Sequence, residues 1–237
     1  MPDIVNPYIP GRPVDNPKLF FGRRELLASL RENLIKGRQV FVVTGAPKMG
    51  KSSLLRQIPH HLPEEFLSVQ VDLLEESAPQ LDRLLWRLAV AIGQQVSQQL
   101  GLKGLEAEWG DFEAHTECLL ERFWPKVRAA QGDRGLVLLL DNLDDLRREA
   151  GDLLEALIAI LTEWRTRDES VAMVLAMSEA LQDVLTRQHP HLFGGAQVHV
   201  LGPLSSEEST RLITWPVDGV LTYDYGVARR VIEITSG

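Results

Sequence analysis

Apolar and polar positions along the chain follow two periods. Five short stretches are apolar or alternating and rich in β-branched residues, which is typical of strands. They cover residues 39–44, 66–72, 136–141, 171–177 and 197–201. Between and after them, apolar residues recur every three or four positions, which predicts helices. These cover residues 23–36, 50–58, 80–100, 111–130, 152–166 and 179–187, a helix capped by Ser205 or Ser206, and a last one over 224–234.

The alternation of strands and helices predicts an α/β fold. The strands are apolar on both faces, so helices should cover both sides of a five-stranded, mostly parallel sheet in a three-layer sandwich. Residues 1–22 are rich in proline, asparagine and glycine, which predicts an extended N-terminal arm. We expect loops at 101–110 and after the helix 179–187, and a kink in the helix 111–130 at Pro125.

Composition, the single cysteine and the start of the chain exclude several classes of protein. The 237 residues are 44% apolar and 24% charged, as in globular proteins. The single cysteine, Cys118, excludes an internal disulfide framework and favours a reducing cytoplasm. No apolar stretch is long enough to span a membrane, and the start of the chain lacks the pattern of a signal peptide.

Charge is unevenly distributed along the chain. Residues 1–59 hold ten basic and four acidic side chains, whereas residues 60–237 hold 15 and 29, and the net charge is −8. A free nucleic-acid-binding protein usually has a broader basic surface. Nucleic acid is therefore an unfavoured ligand for this chain, and the basic segment needs another explanation.

The motif that carries chemistry lies between the first predicted strand and the helix that follows it. It fits G-x-x-x-x-G-K-[ST], the phosphate-binding loop or Walker A motif. Glycines at its ends allow the backbone to fold closely around a polyphosphate, and the following helix presents free amides. The lysine would neutralise the β- and γ-phosphates, and the serine hydroxyl would bind Mg²⁺. The motif consists of Gly45, Ala46, Pro47, Lys48, Met49, Gly50, Lys51 and Ser52.

A second element of such a site is an acid that ends another strand and holds Mg²⁺. Asp141 ends the strand 136–141 and meets this demand. The next residue is Asn142, which can orient a water but cannot accept its proton. Asp144 and Asp145 could take over that role, or they could be solvated acids and helix caps. Hydrolysis is thus an open question, while a guanine-reading Asn-Lys-x-Asp or Thr-Lys-x-Asp tetrapeptide is absent from the sequence.

Several segments resemble the bacterial STAND-type ATPases, signalling relatives of the AAA+ proteins with NACHT and NB-ARC domains. The segments are NPY at 6–8, GRP at 11–13, FFGRRE at 20–25, the phosphate loop with Ser53, LGPLS at 201–205 and RVIEITSG at 230–237. The resemblance implies the sheet order 5-1-4-3-2, an ATP or ADP ligand with Mg²⁺, and self-association. Sensor and effector regions would follow Gly237.

The resemblance also implies roles for four further residues. Phe20, Phe21 and Arg23 would border the adenine, although the two aromatic residues could instead form a hydrophobic staple for the next helix. Ser178 stands where the family often senses the γ-phosphate, and it could equally cap the helix that it precedes. The resemblance implies an arm at 1–22, a nucleotide-binding core at 23–204, and the truncated start of a helical lid at 205–237.

Three functions follow as expectations. The first is the Mg-ATP/ADP-binding module of a signal-transduction switch that controls oligomerisation, with slow or impaired hydrolysis. The second is a nucleotide-binding scaffold without turnover, for which Asn142 is the motive. The third is a DNA-associated AAA+ ATPase resembling archaeal replication initiators. Of the remaining polar stretches, the glutamine-rich segment 94–99 is predicted to lie on the polar side of its helix without a function.

Overall fold

The five predicted strands form one parallel sheet. A computed structural model describes residues 6–8, 11–74, 80–224 and 226–235. The strands are β1 (Val40–Gly45), β2 (Phe66–Asp72), β3 (Gly135–Asp141), β4 (Val171–Ala176) and β5 (Gln197–Leu201). Their order across the sheet is β2-β3-β4-β1-β5, which confirms the predicted order, and every pairing is parallel.

Helices cover both faces of the sheet. They are α1 (Arg24–Ile35), α2 (Lys51–Gln57), α3 (Leu81–Leu100), α4 (Trp109–Phe112), α5 (Trp124–Gln131), α6 (Leu143–Glu149), α7 (Gly151–Arg167), α8 (Glu179–Gln188), α9 (Pro190–Phe193), α10 (Ser206–Thr214) and α11 (Val227–Thr235). Within the described ranges, no helix combines the length and the apolar character that crossing a membrane requires.

The apolar core forms two layers, one on each face of the sheet. One layer joins β1 and β4 to α1 and α2, through residues such as Phe41, Val174 and Leu54. The larger layer packs α3, α5, α7 and α8 against the other face, around Trp164 and Leu138. The central strand β4 is buried along its whole length, so the chemistry of this fold must lie at the ends of the strands.

Three local predictions were wrong. The helix expected over 111–130 is divided into α4, a π-helical turn over Leu119–Phe123, and α5. Pro125 stands in the first turn of α5, where its missing amide needs no partner, so it begins a helix rather than kinking one. The predicted loop after the helix 179–187 contains the short helix α9, and the short helix α6 after Asn142 was not predicted. Each is below the length that sequence periodicity can resolve.

Two glutamine side chains of α3 cover the β2 edge of the sheet. At the β2 edge, the Gln99 side chain accepts from Ser68 N and donates to Ser68 O, at 3.0 and 2.6 Å. Gln95 makes the same pair of bonds to Gln70, at 2.9 and 2.8 Å. The two carboxamides thus occupy the hydrogen-bonding positions of a further strand. The expectation that this glutamine segment has no role was therefore wrong, because it closes an otherwise open sheet edge.

The N-terminal arm, here residues 6–8 and 11–22, contacts two distant elements. Its Val14 amide donates to Ser53 Oγ at 3.0 Å, and the buried Gln57 side chain donates to Val14 O at 2.7 Å, both on α2. At its other end, the Tyr8 hydroxyl donates to Ile213 O of α10 at 2.6 Å. Residues 1–5, 9 and 10 of the predicted arm, and Ser236 and Gly237, lie outside the described residues.

Candidate functional site

The loop that joins β1 to α2 has the backbone geometry that its glycines permit. Gly45 has φ 147° and Gly50 has φ 88°, both in the region that favours glycine. A Cβ at Gly45 would lie 2.6 Å from Leu201 O, so this position also lacks room for a side chain. Lys48 adopts φ 67° without being glycine, which is a strained conformation of the type found at binding loops.

The ammonium of Lys51 lies inside the curve of this loop. Its Nζ donates to Gly45 O at 2.7 Å and to Ala46 O at 3.2 Å. The residues of the motif face two different surroundings, a cleft at the carboxyl ends of the strands and the apolar layer below it. The cleft is lined by six residues of this segment, which are Pro47, Lys48, Gly50, Lys51, Ser52 and Ser53. Met49, in contrast, packs against the apolar layer beneath α1 and α2.

Asp141 ends β3 beside this loop, and its carboxyl group is almost buried, with 5% of the residue exposed. Burial raises the pKa of Asp141 above that of an ordinary aspartate, and the nearby charge of Asp72 adds to the increase. A hydrogen bond from the Ser52 hydroxyl, the Asn142 amide at 2.9 Å and the charge of Lys51 act in the opposite direction. The carboxylate is therefore held next to a hydroxyl and a cation in a site that disfavours its lone charge.

Asn142 and Asp144 make specific contacts outside the loop. Asn142 has φ 62°, and its Nδ2 donates to Asp72 Oδ1 at 2.7 Å. Asp144 accepts from the Ser178 amide at 2.7 Å and from the Ser178 hydroxyl at 2.5 Å. The same hydroxyl accepts from Leu181 N at 3.2 Å, so Ser178 caps α8, the alternative expected from the sequence.

These residues share one cleft of about 860 Å³ at the carboxyl ends of β1, β3 and β4. Asp141, Asn142, Asp144 and Ser178 line it together with the loop. Its cationic lining comes from Arg12, Lys48, Lys51 and Arg148. Four cations beside one buried carboxylate and a serine hydroxyl make a donor set suited to a polyphosphate with a hard divalent cation.

The three residues expected at the base lie elsewhere. Phe20, Phe21 and Arg23 line a separate cavity of about 940 Å³ between α1 and α10, and it shares no lining residue with the cleft. Phe21 packs edge-to-face on Trp215 at 5.9 Å, and the Arg23 guanidinium donates to Gly202 O. These side chains thus lie outside the cleft itself, although Phe20 packs on the same apolar layer as Met49 of the phosphate loop.

A third pocket adjoins the cleft. It has a volume of about 400 Å³, has a mostly apolar lining and lies between the arm and α10. Arg12 and Pro13 line both this pocket and the cleft, so the two are adjacent. Pro7, Tyr8, Val14, Leu212 and Pro216 supply its apolar walls.

Sequence reasoning missed two contributors to the site. Asp72 ends β2 in register with Asp141, and Arg12 reaches the cleft from the arm. A signal for Asp72 was present, because an acid that ends a strand next to β3 must lie at the same edge of the sheet. Arg12 had no such signal, since the path of an irregular arm depends on tertiary contacts.

The fold and the cleft define a class. A parallel sheet in the order 2-3-4-1-5, with a glycine-rich loop between its β1 and α2, is the architecture of P-loop NTPases of the AAA+ type. A family model described as AAA ATPase domain matches residues 19–174. This chain belongs to that family. A search of curated proteins found no match.

Solved structures agree with this architecture. The Walker-type ATPase of Pyrococcus abyssi superposes with a TM-score of 0.70 at 19% identity, over 94% of this chain and 65% of that one. The ORC1 protein of Aeropyrum pernix, solved with DNA, gives 0.61 at 16% identity, over 93% and 56%. The ORC2 protein of the same organism in its ADP form gives 0.58 at 16%, over 98% and 60%. The chain thus spans less than two thirds of these structures, and they show the fold alone.

Proposed function

We propose that this chain is the Mg-ATP/ADP-binding module of a STAND-type signal-transduction ATPase, in which the bound nucleotide controls self-association. The observation that carries the proposal is the meeting of Lys51, Ser52 and Asp141 in one cleft at the carboxyl ends of the strands. These are the three side chains that a phosphate-binding site with Mg²⁺ requires.

Each residue has a role that its contacts support. Among the described residues, the Lys51 ammonium donates to two backbone carbonyls, so its charge is available to the β- and γ-phosphates. Ser52 and Asp141 would hold Mg²⁺, which supplies positive charge between the phosphates when it is bound. Arg12, Lys48 and Arg148 would add to the cationic field around the phosphates. The basic residues near the start of the chain thus find an explanation in a nucleotide site.

For the adenine base we propose the pocket between the arm and α10. It adjoins the phosphate cleft at Arg12 and Pro13, and its apolar walls suit a base. Leu212→Trp should fill it and weaken Mg-ATP binding, while binding of inorganic triphosphate stays within about twofold. Phe20→Ala, in the separate cavity, is the matched control. The opposite outcome, in which Phe20→Ala weakens ATP binding and Leu212→Trp does not, would favour the site implied by the sequence resemblance.

The switch is supported by the contacts of the arm. The arm bonds both α2, which follows the phosphate loop, and α10, which the proposal treats as the start of the lid. A ligand shifts a conformational equilibrium only by its differential affinity for the two states. A nucleotide that touches both the loop and the arm–α10 pocket can have such an affinity.

Sedimentation of the 237-residue chain tests this switch. We expect a non-hydrolysable ATP analogue with Mg²⁺ to increase the weight-average sedimentation coefficient, and ADP to leave the chain monomeric. The Lys51→Ala variant should not respond to either. If ATP analogue and ADP give the same distribution while both bind, the switch is wrong and a nucleotide-binding scaffold remains.

A DNA-associated AAA+ ATPase is a second candidate, and the fold likeness to ORC1, solved with DNA, is its support. Against it stands the acidic charge of residues 60–237. Tight, salt-sensitive binding of the chain to duplex DNA would favour this candidate over the signalling switch.

A further inference from the structure

The strand β5 forms an edge of the sheet that no other strand covers within the described ranges. It stands last in the strand order and pairs with β1 on one side only. At the opposite edge of the sheet, the side chains of Gln95 and Gln99 bond the backbone of β2. Among the described residues, no side chain bonds the backbone of β5 in this way. Its outward amides and carbonyls are therefore available for a further ladder of hydrogen bonds.

The side chains of β5 carry no charge that would keep another strand away. Val198 and Val200 are 43% and 62% exposed, and they lie on the sheet face of the larger core layer, because they pair with Val42 and Thr44. His199 lies on the other face, and burial lowers its pKa, so the ring is neutral at pH 7. The strand contains no lysine, acidic residue or proline, which are the residues that commonly protect edge strands. The edge is thus open to association.

A second copy of this chain offers a strand that fits this edge. Because side chains close the β2 edge, β5 is the sheet edge that the described part of another copy presents. Two identical edges pair symmetrically only in the antiparallel direction, since the hydrogen bonds of a parallel ladder are not equivalent on its two strands. With His199 at the twofold axis, Val198 of each copy lies opposite Val200 of the other. Both exposed valines are then covered on each copy.

The end of β5 contacts the start of the phosphate loop. Leu201 pairs with Gly45 in the register, and its carbonyl oxygen lies 2.6 Å from the position that a Cβ on Gly45 would take. A loop that changes shape around a nucleotide would therefore press on the end of this edge strand. A contact between two strands of five residues is also smaller than the roughly 1,200–2,000 Å² of stable interfaces. The association should thus be weak and reversible, which suits a contact that a ligand controls.

We propose that the chain self-associates through β5, whose open edge pairs antiparallel with β5 of a second copy around a twofold axis at His199. The two five-stranded sheets then form one continuous sheet. Backbone hydrogen bonds supply the affinity, and the contacts of Val198 with Val200 across the axis select the register. This names the surface for the self-association in the proposed function, and its control by nucleotide rests on that function.

Lysine substitutions test this surface. The 237-residue chain is sedimented with Mg²⁺ and a non-hydrolysable ATP analogue at micromolar to submillimolar concentration. Val200→Lys should weaken self-association at least about tenfold, because a lysine on an edge strand opposes pairing. Val220→Lys is the matched control, since Val220 is 59% exposed and lies outside the sheet, and it should stay within about twofold of the wild type. Calorimetry should show the same affinity for the ATP analogue in all three proteins.

Cysteine cross-linking tests the register. Opposite residues of an antiparallel pair have Cα atoms within about 5.5 Å, whereas a shift of two residues exceeds the roughly 7 Å that a disulfide spans. Under mild oxidation, His199→Cys should therefore form a linked dimer at least about tenfold faster than Val198→Cys alone. A mixture of Val198→Cys with Val200→Cys should link as readily as His199→Cys. The native Cys118 is buried and does not compete.

The outcomes separate this surface from the proposed function. Self-association of Val200→Lys equal to that of the wild type, or linking of His199→Cys no faster than that of Val220→Cys, overturns the surface and leaves the nucleotide switch standing. A wild-type chain that stays monomeric throughout also overturns the surface, together with the expected self-association. Linking at position 199 that ignores nucleotide, or that occurs although the chain does not bind Mg-ATP, supports the surface and contradicts the proposed function instead.

Discussion

At the scale of single residues, the cleft holds charges that oppose one another across short distances. Asp141 is nearly buried and its pKa is raised by that burial, while Ser52 and Lys51 favour its ionised form. A buried carboxylate beside a cationic loop is costly without a ligand and well placed to bind a divalent cation. Outside the motif, Asp72 accepts a hydrogen bond from the Asn142 side chain and so fixes its orientation.

The raised pKa of Asp141 makes the stability of the nucleotide-free protein depend on pH. Folding favours the protonated carboxyl, so this contribution is fully present below an ordinary aspartate pKa of about 4 and is lost as pH rises through the higher folded pKa. Asp141→Asn carries no such loss. Its unfolding midpoint in urea should therefore rise relative to wild type as pH increases through that window. A difference that does not change with pH would contradict this.

The same variant should respond differently to the ligand. Mg-ATP favours the ionised carboxylate, so it should raise the melting temperature of the wild type and release protons at mildly acidic pH. Asp141→Asn should show a much smaller Mg²⁺-dependent increase in melting temperature. Thermal unfolding with and without Mg²⁺ measures the effect, and Asp152→Asn on the surface of α7 is a control that should behave as wild type.

At the scale of elements, side chains complete structures that the backbone leaves open. Gln95 and Gln99 of α3 serve as a surrogate strand for β2, and Gln57 of α2 holds the arm. Gln95 and Gln99 each supply a donor and an acceptor to the backbone of β2, whereas Gln57 donates to the backbone of the arm. Such contacts explain why elements that look peripheral in the sequence are fixed in the fold.

Replacing both Gln95 and Gln99 by alanine should uncover the β2 edge. Four hydrogen bonds from the glutamine side chains to the backbone of Ser68 and Gln70 would be lost, so the unfolding free energy should fall by about 1–3 kcal/mol. The chain should also aggregate faster at micromolar concentration. Gln94→Ala with Gln98→Ala is a matched control on the exposed side of the same helix. Equal stability and solubility of the two double variants would refute the role.

The arm offers a second comparison. Gln57→Ala removes the buried amide that bonds Val14 O and Asp15 O, so we expect about 1–2 kcal/mol lower stability and faster proteolysis of the arm. Arg56→Ala removes the ion pair with Asp15, whose side chain is mostly exposed, and this loss should cost under about 0.5 kcal/mol. Cleavage rates by a nonspecific protease measure both. Equal cleavage rates in the two variants would show that Gln57 does not hold the arm.

At the scale of the whole molecule, the sequence predicted the architecture because its signals are local and strong. Five apolar strands that alternate with helices suffice for the parallel sheet, and a motif with fixed spacing and an acid at a strand end suffice for the meeting of Lys51 with Asp141. The order of the strands was implied by the family resemblance. The path of the arm, the orientation of Asn142 and the position of Phe20 depend on contacts between distant segments, which no local pattern encodes. The short helices α6 and α9 were missed because one or two turns carry too little periodicity.

The central claim is that the cleft around Lys51 binds Mg-nucleotide. Calorimetric titration of the wild-type chain with ATP in the presence of Mg²⁺ tests it, with Lys51→Ala as the comparison and thermal unfolding to show that the variant is folded. We expect one site per chain in the wild type and at least about a hundredfold weaker binding in the variant, as the loss of a charge-assisted phosphate contact implies. Equally tight binding by wild type and variant, or no binding by a folded wild type, would contradict the claim.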